Sequence, residues 1–380
     1  MGLSPRILTA PEAVEPHVAA WDELARARQL PYCAPGWLLP WWNHMAPPDG
    51  VLRIVAVLDG ASLAGIVPLY ASPWRLGLAR YALLGTEDLT ARVEPLARPG
   101  REQEVAAAAA RALASARPVP ALLRLEGIPA GSPWPDLLGG AWPGRGRPFV
   151  HRDSSAPAPV VPLSGSFEDW MAAKSGNFRQ QMRRSRRKLE QAGATFRTAG
   201  TAEEVERALP EFERLHRARW DPRGGSGALR PGLLDMLAEA GERLVPGERF
   251  ELNLIEVDGR MIGAHIFVAA GGETSYWLGG FDDDYGAQRP SMLALLDELE
   301  RCFARGDDRF DLGPGGQDYK YRFADSDETL EWMTLVPPGP QHARAMALLL
   351  PRRARYGITT RLSAETKARL RRVLGRPLGR

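Results

Sequence analysis

Apolar and polar positions fall into blocks that read in turn as short strands and helices. Residues 11–29 repeat apolar side chains at helical spacing. The run at 34–45, APGWLLPWWNHM, is densely apolar, but Pro35, Gly36 and Pro40 argue against regular structure there. Leu52–Leu58 reads as a strand closed by Asp59-Gly60, a hairpin turn signal, with Ser62–Tyr70 as its partner. The alanine-rich stretch 103–116 predicts a helix, and 121–126 a short strand. Prolines and glycines then crowd 129–162. The neighbourhood of 140–162 reads as an inter-domain connection, the alternative being a long surface loop within one domain.

The pattern then restarts. A basic helix is expected over about 166–191, then a strand at 194–199. Thr201 opens the next helix with Glu204 three residues on, a capping box, and Val205, Leu209, Phe212 and Leu215 share one face. Leu252–Val257, Asp258-Gly259 and Met261–Ala270 form a second hairpin, and Glu273–Phe281 a third strand. Ser291–Arg305 is an amphipathic helix. Arg309–Leu312 is a short strand leading into GPGGQDYKYRF, and Glu331–Val336 a last strand. Residues 52–69 parallel 251–268: strand, Asp-Gly, then a return strand carrying Gly65 or Gly263, at a period near 199 residues. Two copies of one α/β (α+β, mixed-sheet) unit built on antiparallel hairpins fit this better than a doubly wound sheet. The expected division is 1–150, 160–340 and a basic tail, 341–380.

Composition narrows the class. At 380 residues, 44% hydrophobic and 25% charged, the chain is globular and not disordered in bulk. Cys33 and Cys302 lie far apart. His17, His44, His151, His216, His265 and His342 never pair at helical spacing, so no metal site is expected. No stretch approaches a membrane span, and the first residues lack the apolar core of a signal peptide, which predicts a cytoplasmic protein. The formal charge of +3 is unevenly spread. Lys174, Arg179, Arg183, Arg184, Arg186, Arg187 and Lys188 form a run without an acid, and the tail carries eleven Lys/Arg against Glu365 alone. Such segments suit phosphates, polyanions or an anionic membrane, or are simply solvated.

Four segments carry a family resemblance: APGWLLPWW (34–42), LDGASLAGIVPLY (58–70), FRQQMRRSRRKLEQAGATFR (178–197) and the long block from YWLGGFDDDYGAQRPSM to GPGGQDYKYRFAD (276–325). Over about 10–340 the chain resembles the GNAT acetyltransferase superfamily, in its CelD-like branch, and is similar to the tandem-GNAT FemABX proteins. It departs from the family pattern at Arg289-Pro290-Ser291, often Ser-Pro-Gly, and at Gly316-Gln317-Asp318, often Gly-Asp-Glu.

The resemblance implies two tandem GNAT-like domains and acyl transfer from a thioester, acyl-CoA or the phosphopantetheine of an acyl carrier protein, to a small-molecule or peptide amine. Aminoacyl-tRNA as donor, or a catalytically degenerate scaffold in polysaccharide biosynthesis, are the alternatives. The pyrophosphate needs backbone N–H groups at a helix start. Tyr285, Gly286, Gln288, Arg289, Ser291 and Met292 are the expected cradle, with Pro290 suited to the first turn and Arg289 to a phosphate. Gly313, Gly315 and Gly316 permit close approach of backbone to ligand. Tyr319 (or Tyr321) matches the family's acid to the departing thiolate, beside Lys320 and Asp318, the latter expected to orient or deprotonate the acceptor ammonium or to cap the turn. For the base, His265, Glu256 and Asp282 are rivals. Trp277, Asp282 and Lys320 are expected against the substrate.

Overall fold

The computed structural model describes residues 2–86, 92–221 and 225–350. Its first half holds β1 (Ser4–Leu8), α1 (Pro11–Val14), α2 (Val18–Ala27), α3 (Pro35–Met45), β2 (Val51–Leu52), β3 (Ile54–Asp59), β4 (Ser62–Val67), β5 (Leu69–Pro73), β6 (Ala79–Leu83), β7 (Leu96–Ala97), α4 (Glu102–Ser115), β8 (Pro120–Pro129) and α5 (Trp134–Gly140). β9 (Phe149–Pro162) closes this half, and the second holds α6 (Phe167–Ala173), α7 (Gly176–Gln191), β10 (Ala194–Thr198), α8 (Ala202–Trp220), α9 (Leu233–Leu244), β11 (Phe250–Val257), β12 (Arg260–Ala270), β13 (Glu273–Phe281), α10 (Pro290–Arg305), β14 (Arg309–Asp311) and β15 (Ser326–Val336).

The internal repeat is a repeat of structure. β1, β3, β4 and β7 pair antiparallel in that order, as β10, β11, β12 and β13 do. Each hairpin carries a register shift just before its Asp-Gly turn, at Val57/Leu58 and at Ile255/Glu256. Val57 faces Gly65 as Ile255 faces Gly263. A helix follows each fourth strand, α4 or α10, and then a strand that runs parallel to an earlier one: β8 to β6, and β14 to β13.

The halves exchange their last strands. β9, which follows β8 and α5, pairs with β14 of the second half. β15, which follows β14, pairs with β8 of the first, and β9 and β15 pair with each other along eleven residues. One eleven-strand sheet therefore runs through both halves. The proline-rich segment read as a connection is thus a central strand. Its backbone is held by long-range partners on both sides, which a local turn signal cannot reveal.

Two further readings are corrected. The segment 34–45 is helical: Pro35 sits in the first turn, where its missing N–H costs nothing, and Trp37, Leu38 and Trp41 are fully buried, which outweighs Pro40 in the interior. The single basic helix is two, broken at Lys174–Ser175, where the Ser175 hydroxyl caps α7 by accepting the Phe178 N–H (3.2 Å). Of the basic tail, 342–350 is helical and buries Ala345 and Leu349 on Leu78, Ala121, Leu122 and Val336; 351–380 lies outside the described residues.

The halves meet through apolar and ionic contacts. Trp37 of α3 meets Trp277 of β13 edge-on at 5.4 Å. Arg92, buried and in the left-handed region (φ 61°), reaches Glu273 of β13 (3.2 Å), Asp311 of β14 (3.5 Å) and Glu328 of β15 (2.9 Å). Burial foremost pushes the Glu273 carboxyl up to about 7, against the pull of Arg92.

Candidate active site

β13 and β14 are paired only over Glu273–Ser275 and Arg309–Asp311. Beyond that point they part. The chain after Asp311 turns along β9, with Leu312 N–H donated to Pro159 O and Gly315 N–H to Pro157 O. Asp311 fixes this turn by accepting the Gly313 N–H (2.7 Å). The edge of β13 from Tyr276 to Phe281 is left without a strand on that side, and Gly313 lies at the apex: a Cβ there would sit 3.2 Å from Tyr276 O. A second irregularity falls on the same stretch, since Phe267 faces Tyr276 while Ile266 faces Leu278, so Trp277 is the extra residue of a bulge. Bulges of this kind re-aim side chains beside active sites.

Two tyrosines line the opening. Tyr276 packs on Phe267 (5.5 Å) and near His265 (6.3 Å), and burial holds its hydroxyl well above the ordinary phenol range. Tyr319 is raised to about 12 by burial, against the field of Arg219. Both are protonated at neutral pH and can donate. Arg219, near the end of α8, lies over the Phe281 ring (4.2 Å) and pairs with Asp283 (3.6 Å); its charge reaches Tyr276, Tyr319 and His265.

The expected cradle sits at the open end of β13. Asp283–Gln288 is a 3-10 turn packed by α7, and Arg289, in the left-handed region (φ 57°), opens α10. Arg289 has no ion-pair partner among the described residues. Ser291 receives His265: the ring's Nε2 lies 2.8 Å from its Oγ. The Gln288 side-chain oxygen is buried without a partner. Met292 is buried beneath the turn, while Tyr285 and Gly286 are half-buried along it.

The structure separates the expected bases. His265 is fully buried, and desolvation, then Arg219, drive its pKa down to about 3, so it is a neutral prop for the start of α10. Glu256 does not share its face. His265 pairs with Asn253, three residues along β11 from Glu256, and Glu256 is held by Arg197 (2.9 Å). Asp282 is buried, capping the Asp284 N–H (3.1 Å) and paired with Arg260. Trp277 is engaged with Trp37 at the junction of the halves. Lys320 is buried, donates to Gly313 O (2.9 Å) and Pro314 O (2.8 Å), and is lowered by burial to about 8, so it stitches the glycine loop. Asp318 is exposed and without a partner among the described residues. Tyr321 is also exposed and donates to Asp327 (2.9 Å). Sequence reasoning missed Tyr276 and Arg219; the first lay inside a quoted motif, the second near the end of a helix whose one local signal is the capping box at its start.

A family model described as "Acetyltransferase (GNAT) domain" matches residues 176–321, the stretch that contains the parted strands, the 283–289 turn and Tyr319. Residues 176–321 are a GNAT acetyltransferase domain. Over most of its length the chain is similar in fold to solved structures. A crystal structure of FemX aligns with a TM-score of 0.64 at 10% identity, covering 87% of this chain and 98% of that one. The C-terminal domain of a putative lysylphosphatidylglycerol synthetase from Agrobacterium fabrum aligns at 0.55 and 12% identity, covering 88% and 95%. A conserved protein of unknown function from Bacteroides thetaiotaomicron aligns at 0.55 and 11%, covering 87% and 99%. No curated protein sequence matches the chain. The GNAT domain and the repeated unit before it make this a tandem GNAT fold, and the chain an acyltransferase. Among the described residues no helix is long and apolar enough to cross a membrane, and no group of three His, Cys, Asp or Glu could hold a metal.

Proposed function

We propose that the chain transfers an acyl group from acyl-CoA, or from the phosphopantetheine thioester of an acyl carrier protein, to the amine of a small molecule or peptide. The observation that carries this is the parting of β13 from β14 beyond Ser275, which leaves strand-edge N–H and C=O groups facing an opening. An extended pantetheine arm can satisfy them as an added strand would. The thioester then comes between Tyr276 and Tyr319, and the pyrophosphate reaches the start of α10, where the helix dipole and Arg289 favour an anion.

The amine attacks the thioester carbonyl, the C–N bond forms and the C–S bond breaks. Tyr319, holding its proton at neutral pH, supplies it to the departing thiolate. Such donors place the reaction in the cytoplasm. The test is calorimetric titration with CoA and acetyl-CoA, followed by thiol release from acetyl-CoA with primary amines from amino sugars to lysyl dipeptides. Micromolar binding with amine-dependent release supports the reading, and absence of both overturns it.

A second reading, aminoacyl-tRNA as donor, is favoured by one observation. Arg183, Arg184, Arg187 and Lys188 on α7 are exposed and have no partner among the described residues. The family's phosphate-bearing donors share that requirement for cations, and salt dependence separates them.

A further inference from the structure

The three rivals for the base, His265, Glu256 and Asp282, are each buried or paired, and Asp318 is exposed on the glycine loop. The face of β13 toward α8 offers another group. His216 on α8 is 1% exposed. Its Nδ1 lies 3.0 Å from Gly279 O and its Nε2 2.8 Å from Ser226 Oγ. A carbonyl can only accept, so Nδ1 carries the proton and Nε2 has the free lone pair. Ser226 must then be the donor to Nε2, while its oxygen also accepts the Ala228 N–H (3.2 Å). Ser226 is half-buried, on the chain between α8 and α9, and its hydroxyl oxygen keeps one lone pair beyond these two bonds. Gly279 lies within the unpaired stretch of β13, and Gly280 touches α8 so closely that a Cβ there would sit 2.6 Å from His216 N. The pair is therefore fixed against the strand that would hold the thioester.

On the acyl-transfer reading above, we propose that Ser226 and His216 form the proton relay that accepts the acceptor's proton. As the amine nitrogen bonds to the carbonyl carbon, its proton passes to Ser226 Oγ, the Ser226 hydroxyl proton passes to His216 Nε2, and the thiolate leaves. Both heavy atoms end in ordinary protonation states, His216 as imidazolium to be discharged to solvent. The nitrogen becomes strongly acidic once the C–N bond forms, so a base of modest strength suffices. Among the described residues, the charged groups around His216 are Arg217 and Arg219 on its own helix, Arg219 being paired with Asp283, and Asp221 just beyond. From β13 only the Gly279 carbonyl and the Gly280 backbone face it. Burial foremost lowers the His216 pKa, keeping it neutral and receptive at pH 7.

The experiment compares wild type, Ser226→Ala and Ser226→Thr in thiol release from acetyl-CoA. The acceptors are the best primary amine of the panel and hydroxylamine, which is already unprotonated at neutral pH. Ser226→Ala is expected to lower kcat for the amine about 100-fold, the low end for a positioned proton carrier, with unchanged CoA affinity. It should also flatten the acidic limb of the pH profile. Ser226→Thr should restore much of the rate, and hydroxylamine, whose nitrogen must shed a proton in the same step, should lose about as much as the amine in Ser226→Ala. A fall with the amine that hydroxylamine escapes, an unaltered rate, or an acetyl ester on Ser226 by mass spectrometry would each overturn the relay. If wild type neither binds CoA nor releases thiol, the acyl-transfer reading itself has failed.

Discussion

Replacing Arg92 by Met tests how the two halves are held together. Arg92 faces three carboxylates from three strands of the second half, and Arg309 is the other cation, 2.8 Å from Glu273 and 2.6 Å from Glu328. Removing one partner of a buried ionic group costs about 3–5 kcal/mol, because the remaining charge keeps its desolvation penalty. Here the loss depends on pH. The folded pKa of Glu273, about 7, exceeds the unfolded value of about 4.3. The native state therefore binds more protons between those values, and stability falls as pH rises through them. Without Arg92 the folded pKa rises further, and the fall continues into the alkaline range. Urea unfolding followed by tryptophan fluorescence should show Arg92→Met losing about 3–5 kcal/mol near pH 8.5 but about 1–2 kcal/mol near pH 5.5, where Glu273 is neutral. Equal losses at both pH values, or a loss under about 1 kcal/mol at the higher, would refute the reasoning.

Tyr319→Phe should lower turnover about 10–100-fold without changing CoA affinity, read by thiol release and calorimetry; an unchanged rate removes it as the acid. Arg289→Glu, which reverses a charge at the start of α10, should weaken CoA binding at least about tenfold, and an unchanged Kd removes it from the grip. Gly279→Ala, whose Cβ would lie 2.2 Å from the His265 ring, should destabilise by about 3 kcal/mol or more in urea unfolding. If α7 grips a polyanion, tRNA affinity should fall steeply with salt and fall further in Arg184→Glu/Arg187→Glu, whereas a flat salt response removes the tRNA reading.

The parts legible in the sequence are those set by local chemistry. The Asp-Gly turns at 59–60 and 258–259 fixed both hairpins, because few residues tolerate the positive φ that Gly60 and Asp258-Gly259 adopt. The apolar period of α10 and the Thr201–Glu204 box of α8 were equally local. What escaped was set by distance. β9 has no clean alternation and gains its conformation from β14 and β15, more than 140 residues on. Glu256 and His265 read as rival bases on adjacent strands, and only the register, which pairs His265 with Asn253, puts them on different faces. His216 and Arg219 read as ordinary helix residues, since nothing local says that α8 lies on the bulged strand.

The exchanged strands also constrain synthesis. When β9 leaves the ribosome neither neighbour exists, and both its edges wait for residues 309–336. At about 5–20 residues per second this interval is roughly 8–30 s. For that time a long strand with two open edges is a template for mispairing. Its three prolines, Pro157, Pro159 and Pro162, and the neighbouring Pro148 lack N–H groups and so make it a poor template for aggregation while it waits. The proline content that hides the strand from a sequence reading is thus what protects the nascent chain until its partners arrive.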